Sequence, residues 1–337
     1  MIDISKGRYW DEGITLVDGC TPCSPGCDHC WSASMTHRFN TKAVTVNNTS
    51  YPLSTNKGFT GEIICHPEYL KRFNTRKPKV FATWNDLFHE DVPVEFILNT
   101  FRTIGGQFQN TYLILTKRPQ RMWDVIESIN PILRSESRAP IGPVWNHVNF
   151  GLTVCNQAEA DEKIPIFLQV PGKKFLSIEP MLGPIDLSKW IGEYHCYCGY
   201  RGFNCGEDKE RKEMCCPECG GIEEFAFVEN SGFLSNEEKH PFDSVILGGE
   251  TGPGARPMHP DWVRSVRDQC AAAGVPFFLK NMGEWVQCVD EQDVFNHKTG
   301  DFETIPAANA FIRKKAGRLL DGRTHDDLPW LPKGATS

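Results

Sequence analysis

The sequence predicts an α/β fold. A parallel sheet curls into a complete or partial TIM-like (βα) barrel, interrupted by a Cys-rich, zinc-ribbon-like insertion. Three observations carry this. Short, nearly continuous apolar runs recur along the chain with helix-like segments between them. Such runs suit strands covered on both faces, and strand–helix alternation argues a parallel sheet. A polar or charged residue closes nearly every run, and one stretch, 190–235, breaks the rhythm with Cys, Gly and charge.

The runs are Gly13–Val17, Lys79–Thr83, Tyr112–Thr116, Val148–Thr153, Phe175–Ile178, Val245–Gly249 and Pro276–Lys280. Between them, Val94–Thr103 carries Phe96, Ile97 and Phe101 at helical spacing, and Arg121–Ile129 and Pro260–Ala273 also fit helices. The last of these stops at Gly274, as a helix C-cap should. No G-x-G-x-x-G follows the first run, which argues against a dinucleotide-binding open sheet. The run ends carry Asn85 and Asp86, Lys117 and Arg118, Glu179, Glu250, and Lys280 with Asn281. In a barrel these ends share one face, where active sites are built. The expected organisation is a barrel from 1–189 and 236–316, an inserted module at 190–235 and a polar C-terminal tail at 317–337, poorly ordered beyond Trp330. Residues 32–75 resist assignment.

At 337 residues the chain can bury one large or two medium domains. Its 40% hydrophobic and 23% charged content fits a soluble globular protein. No stretch nears the roughly 18 apolar residues of a membrane span. The opening residues Met1–Gly7 lack a basic region followed by an apolar core, so no secretion signal and a cytoplasmic setting are expected. A net charge of −7 argues against nonspecific nucleic-acid binding through a broad basic surface. Fourteen cysteines in a reducing compartment point to metal rather than disulfides. Ten lie in two clusters, at 20–30 and 196–219, while Cys65, Cys155, Cys270 and Cys288 stand alone and read as core residues.

The first cluster is Cys20, Cys23, Cys27 and Cys30, on backbone bent by Pro22, Pro25 and Gly26. The last three read C-x3-C-x2-C. Three thiolates can hold three irons of a [4Fe–4S] cluster and leave the fourth open to a substrate or cosubstrate. Structural zinc and most iron–sulfur clusters take four protein ligands, so a three-Cys set implies chemistry at the vacancy. Cys20, Cys27 and Cys30 give a C-x6-C-x2-C alternative, and a zinc knuckle using all four is the structural reading. Gly248 and Gly249, in the Gly-rich stretch Gly248–Gly254, offer backbone that can approach a cofactor closely. No Gly-Lys-Ser/Thr follows, so the stretch is not a P-loop. Arg256 just beyond suits a phosphate or carboxylate contact or a helix cap.

The second cluster contains His195, Cys196 and Cys198, then Cys215, Cys216 and Cys219 before Gly220. Cys196, Cys198, Cys216 and Cys219 form the expected Zn2+ set of a ribbon too poor in apolar residues to fold alone. His195, Cys205 and Cys215 are alternative ligands, and a second iron–sulfur cluster is the rival to zinc.

A loop of the first cluster's type after the first barrel strand resembles that of radical S-adenosylmethionine (SAM) enzymes, in which an aromatic residue commonly precedes the last Cys; here His29 takes that place. The chain is also similar to a bacterial and phage family of three-Cys-motif proteins of unknown biochemical role, grouped with the radical-SAM barrels. The matching stretches are Gly19–Thr21 with Ser24–Cys30, Asp86–Pro93, Leu115–Pro119, Ser177–Ile185 and Gly248–Met258. They span about residues 10 to 290, nearly the whole expected core. The resemblance implies Cys20, Cys27 and Cys30 as the motif cysteines and Cys23 as an extra thiol, against the simpler spacing. It departs from ordinary radical-SAM enzymes after the second strand. There Thr83–Asp86 replaces the Gly-Gly-Glu-like motif that holds the SAM amino group, and Asp86 is the candidate substitute.

The implied function is a radical-SAM-type enzyme. It reductively cleaves SAM to a 5′-deoxyadenosyl radical that acts on an unknown substrate, with a nucleotide or nucleic acid as the candidate class. Asp86, Lys117, Glu179 and Glu250 are the candidate catalytic residues. The cofactors are a [4Fe–4S] cluster, SAM and Zn2+, and an electron donor is required as partner. The alternative is a non-catalytic, zinc-stabilised module that binds nucleic acid or protein. A weaker alternative is a non-radical iron–sulfur enzyme whose open iron acts as a Lewis acid.

Overall fold

Seven parallel strands, hydrogen-bonded in the order in which they occur along the chain, form the sheet on which the molecule is built. The computed structural model describes residues 2–39, 43–46, 49–191, 193–196, 201–202, 206–207, 214–215, 225–228, 241–287, 292–296, 301–305 and 311–331. The strands are β1 (Glu12–Ile14), β2 (Val80–Thr83), β3 (Thr111–Thr116), β4 (Val148–Thr153), β5 (Lys173–Ile178), β6 (Ser244–Gly248) and β7 (Phe277–Asn281). The helices are α1 (Trp31–Phe39), α2 (Val94–Ile104), α3 (Pro119–Ser135), α4 (Gln157–Phe167), α5 (Ser188–Ile191) and α6 (Pro260–Ala273). Sequential parallel order is the barrel order, and the sheet curls into a half-barrel flanked by helices. The ring is not closed, because β1 and β7 share no ladder. The expected barrel is therefore partial.

Strand alternation decides what faces where. Phe81, Tyr112, Ile114, Phe150, Leu176, Val245 and Leu279 point outward and merge with the helices into the main core. The alternate residues Val80, Leu113, Phe175, Ile246 and Phe278 form a smaller inner core with Tyr9, Leu328 and Leu331. Toward the C-terminal ends the inward positions become small or polar (Ala82, Thr153, Ser177), and the interior opens into a cavity.

The gap between β1 and β7 is filled from both ends of the described chain. The Tyr9 ring meets Phe278 at 5.4 Å and Trp330 at 6.4 Å. Arg318 donates to the carbonyls of Leu279, Lys280 and Ile4 and pairs with Asp326. Leu320 and Leu328 are buried. The segment expected to trail from 317 as a polar tail is thus docked through Leu331; the rest, 332–337, lies outside the described residues.

The helix α6 has the expected bounds. The His259 side chain accepts from Asp261 N, and Gly274 caps the far end at φ 68°. The helix α3 is longer than expected, running through Pro131 because Ile129 and Leu133 are buried on the same face. The first predicted strand splits. After β1, Val17–Asp18 leaves the sheet and pairs antiparallel with Ile64–Cys65. Trp190 and Ile191 belong to the main core, so the packed core continues past residue 189. Among the described residues no helix is long and apolar enough to cross a membrane.

Candidate functional site

A cavity of about 480 Å³ opens at the C-terminal ends of the strands. Tyr9, Trp10 and Phe175 border it, and Cys20, Cys23, Cys27 and Cys30 all line it. The structure therefore brings the first cysteine cluster and the polar strand ends to one face.

Local bonds explain how the loop turns. The Ser24 hydroxyl accepts from Gly26 N at 3.2 Å and caps a 3-10 turn over Pro25–Cys27. Cys27 N donates to Ser24 O, Cys30 N donates to Cys27 O, and Ser34 N donates to Cys30 O, which carries the chain into α1. Beneath the turn lies Cys155. A Cβ on Gly26 would stand 2.5 Å from the Cys155 sulfur, so only glycine lets the loop rest there. Cys155 is buried, as expected for a core residue, but its sulfur packs against this loop.

Two arginines fasten the loop from opposite sides. Arg118 donates through Nη2 to Thr21 O at 2.8 Å, through Nη1 to Asp86 at 2.9 Å, and through Nε to Glu90. Its Nη1 also lies 3.8 Å from Cys20 Sγ. Arg256 donates to Pro25 O at 2.9 Å, to Asp28 at 3.1 Å and to Glu250 at 2.6 Å. His29 Nδ1 bonds the same Glu250 carboxylate at 3.1 Å, and His89 Nε2 meets Thr21 Oγ1 at 2.9 Å. Arg256 is neither a free anion contact nor a helix cap; His259 caps α6.

The thiols differ electrostatically. The hydrogen bond from Cys23 holds Cys27 down at about 5, with burial opposing it and the Lys117 ammonium assisting. The same bond, with burial, pushes Cys23 up. Burial raises Cys20 to about 11 against the pull of Arg118. Burial works against the Lys117 charge, but Cys27, Cys155, Cys30 and Cys23 together hold it above the usual lysine range. Among the described residues no three His, Cys, Asp or Glu side chains close around a single ion.

Of the six other predicted site residues outside the second cluster, Asp86, Lys117, Glu179, Gly249 and Glu250 line the cavity and Gly248 does not. Asp86 is fully engaged. Its carboxylate accepts from Thr116 Oγ1 at 2.7 Å, Phe88 N at 3.0 Å, Lys117 N at 3.2 Å and Arg118. Glu250 is likewise committed to Arg256 and His29. Glu179 pairs with Lys280 at 2.8 Å. Gly249 is packed against Gly283, whose backbone N would lie 2.7 Å from an added Cβ, so packing between the segments that follow β6 and β7 accounts for that glycine. Of the second cluster, Cys196 ends the strand Glu193–Cys196, and Cys198, Cys216 and Cys219 lie outside the described residues.

Sequence reasoning missed Tyr9, Trp10 and Cys155, which precede a strand or stand alone in the chain. The only signal was Gly26, a residue small enough to admit a sulfur beneath it.

A family model described as "Protein of unknown function (DUF5131)" matches residues 5–329. No curated protein and no solved structure matches the chain.

Proposed function

Because the chain belongs to this family of proteins of unknown function, we propose a function from the site itself: an iron–sulfur enzyme of the radical-SAM type. One observation carries the reading. Four thiols on one fastened loop line a cavity at the C-terminal mouth of a parallel half-barrel. The donor set fits a cluster. Arg118 and Lys117 supply positive charge beside the thiols, and Cys27 is already held toward its thiolate.

Cys27 and Cys30 would be two ligands. The contact from Arg118 favours Cys20 as the third, with Cys23 donating to Cys27. When bound, such a cluster supplies the electron that cleaves SAM to a 5′-deoxyadenosyl radical. The chain's own residues would bind and orient. Lys117 faces the cavity with no side-chain hydrogen bond among the described residues, and its ammonium suits the SAM carboxylate. Asp86 and Glu250 hold Arg118 and Arg256, and so shape the loop rather than act on substrate. The electron donor would come from outside the chain, in a cytoplasmic setting that keeps thiols reduced. In the insertion, Cys196, Cys198, Cys216 and Cys219 are proposed to hold Zn2+.

Anaerobic purification and reconstitution with iron and sulfide test this. The expected product is a brown protein with about four irons in the N-terminal site that releases 5′-deoxyadenosine from SAM on reduction. A colourless protein that carries zinc alone after reconstitution would overturn it.

A further inference from the structure

We propose that the Glu179–Lys280 end of the cavity is a subsite for a neutral, planar nitrogen heterocycle, the nucleobase of a nucleoside or nucleotide substrate. The proposal rests on the functional reading above and names its substrate class.

The polar part of the subsite is Glu179, Lys280 and Asn281, all of which line the cavity. Lys280 Nζ lies 2.8 Å from Glu179 Oε1 and 2.9 Å from Oε2. Among the described residues neither group has another hydrogen-bond partner. A carboxylate offers about four acceptor sites and an ammonium three donors, so the pair keeps capacity for a ligand. Their side chains are 21% and 26% exposed, within a cavity wall rather than on the outer surface. Asn281 Oδ1 accepts from Gly283 N at 2.8 Å, which fixes its amide and leaves Nδ2 to donate. A Cβ on Gly248 would stand 3.1 Å from Glu179 Oε1 and 3.2 Å from Asn281 Nδ2. The absence of a side chain there keeps the two groups accessible to each other and to a ligand.

The apolar part is aromatic. Tyr9, Trp10, Trp84 and Phe175 line the same cavity, and the Lys280 ammonium lies 5.6 Å from the centre of the Trp10 ring. The volume, about 480 Å³, falls in the range of ~300–1,000 Å³ typical of small-molecule sites.

These features select a ligand class. The ion pair is neutral overall, so a phosphate or carboxylate gains little from it. An aliphatic group leaves the remaining acceptor and donor capacity of the pair unused. A nucleobase edge presents an N–H, from the ring or an exocyclic amine, beside a carbonyl or ring nitrogen. It satisfies Glu179 and Lys280 or Asn281 together, while its face stacks on aromatic rings.

The test is direct binding. Uridine, cytidine, adenosine and guanosine are each titrated into the full chain, as isolated and after anaerobic reconstitution, and followed by tryptophan fluorescence and calorimetry. At least one nucleoside should bind saturably, and ribose should not. Glu179→Gln and Lys280→Met should each weaken binding by about tenfold or more, the loss expected for a hydrogen bond to a charged group. Gly248→Ala, which keeps both charges but crowds Glu179 and Asn281, should weaken it too; this variant decides the matter if the charge variants do not fold. The proposal is overturned if no nucleoside saturates in the millimolar range. It is equally overturned if ribose binds as well as the nucleoside, or if folded variants bind as the parent does. Because the isolated chain is titrated without its cluster as well, loss of the SAM reading and loss of the subsite give different results.

Discussion

Arg118 Nη1 lies 3.8 Å from the sulfur of Cys20, while the Cys23 thiol donates to Cys27. The two cysteines that compete for the third ligand position therefore have different partners. One lies beside a guanidinium, and the other shares a hydrogen bond with Cys27. Cys20→Ser should lower iron after anaerobic reconstitution to near that of Cys27→Ser, whereas Cys23→Ser should retain most of it. Iron counting on the three variants decides, and retention of iron by Cys20→Ser with loss by Cys23→Ser would reverse the assignment.

Asp86 and Arg118 have side chains only 8% and 7% exposed and meet at 2.9 Å. Breaking a buried pair by removing one charge leaves the other uncompensated, at a cost of about 3–5 kcal/mol. Asp86→Asn should lose on that order in urea unfolding, with added loss of iron as Arg118 releases Thr21. Unchanged stability would mean that the pair contributes nothing net.

Gly26→Ala places a methyl 2.5 Å from Cys155 Sγ and 3.1 Å from Pro180 Cδ. Overpacking of this kind costs about 1–3 kcal/mol. The second change Cys155→Ala should recover much of the loss, because it removes the clashing sulfur. A double-mutant cycle on thermal melts measures the coupling, and strict additivity would show that the two sites do not touch.

Asp321 joins the C-terminal segment to α6. Its carboxylate accepts from Arg264 at 2.8 Å and from Arg267 at 2.7 Å. These bonds lower it from 3.8 to about 2. A depressed carboxylate stabilises the fold fully above its unfolded value and loses that contribution as pH falls through the folded one. Backbone amide exchange over residues 318–328 should therefore accelerate relative to the sheet as pH drops from about 4 to about 2. Asp321→Asn should exchange faster at neutral pH and show a smaller acid response.

The strands were legible because buried parallel strands are nearly all apolar. Val148–Thr153 is buried at every position, and its expected bounds match. The helix α6 was legible through its glycine stop. The helices α1 and α4 were not. Only Ala33 is buried in α1, and Trp31, Met35 and Phe39 are exposed, so no inward stripe marks it. In α4 the buried face includes the ion pair of Glu159 and Lys163, which reads as polar. At the site, the cysteines and strand ends announced themselves by type and spacing. What each one touches did not, since Arg118 and Cys20 are 98 residues apart. Asp86 and Glu250 drew attention as candidate catalysts because they follow strands at the expected barrel mouth; their pairing with Arg118 and Arg256 was not legible there.

The docked segment 311–331 has a consequence for biogenesis. Leu328 and Leu331 pack against Val80, Leu113, Phe175 and Phe278 at the base of the half-barrel. While the chain is being made, that base stays open and its rings stay wet until these late residues have been synthesised. A chain cut after α6 would leave the apolar side chains of Val80, Leu113, Phe175 and Phe278 without the cover of Leu328 and Leu331.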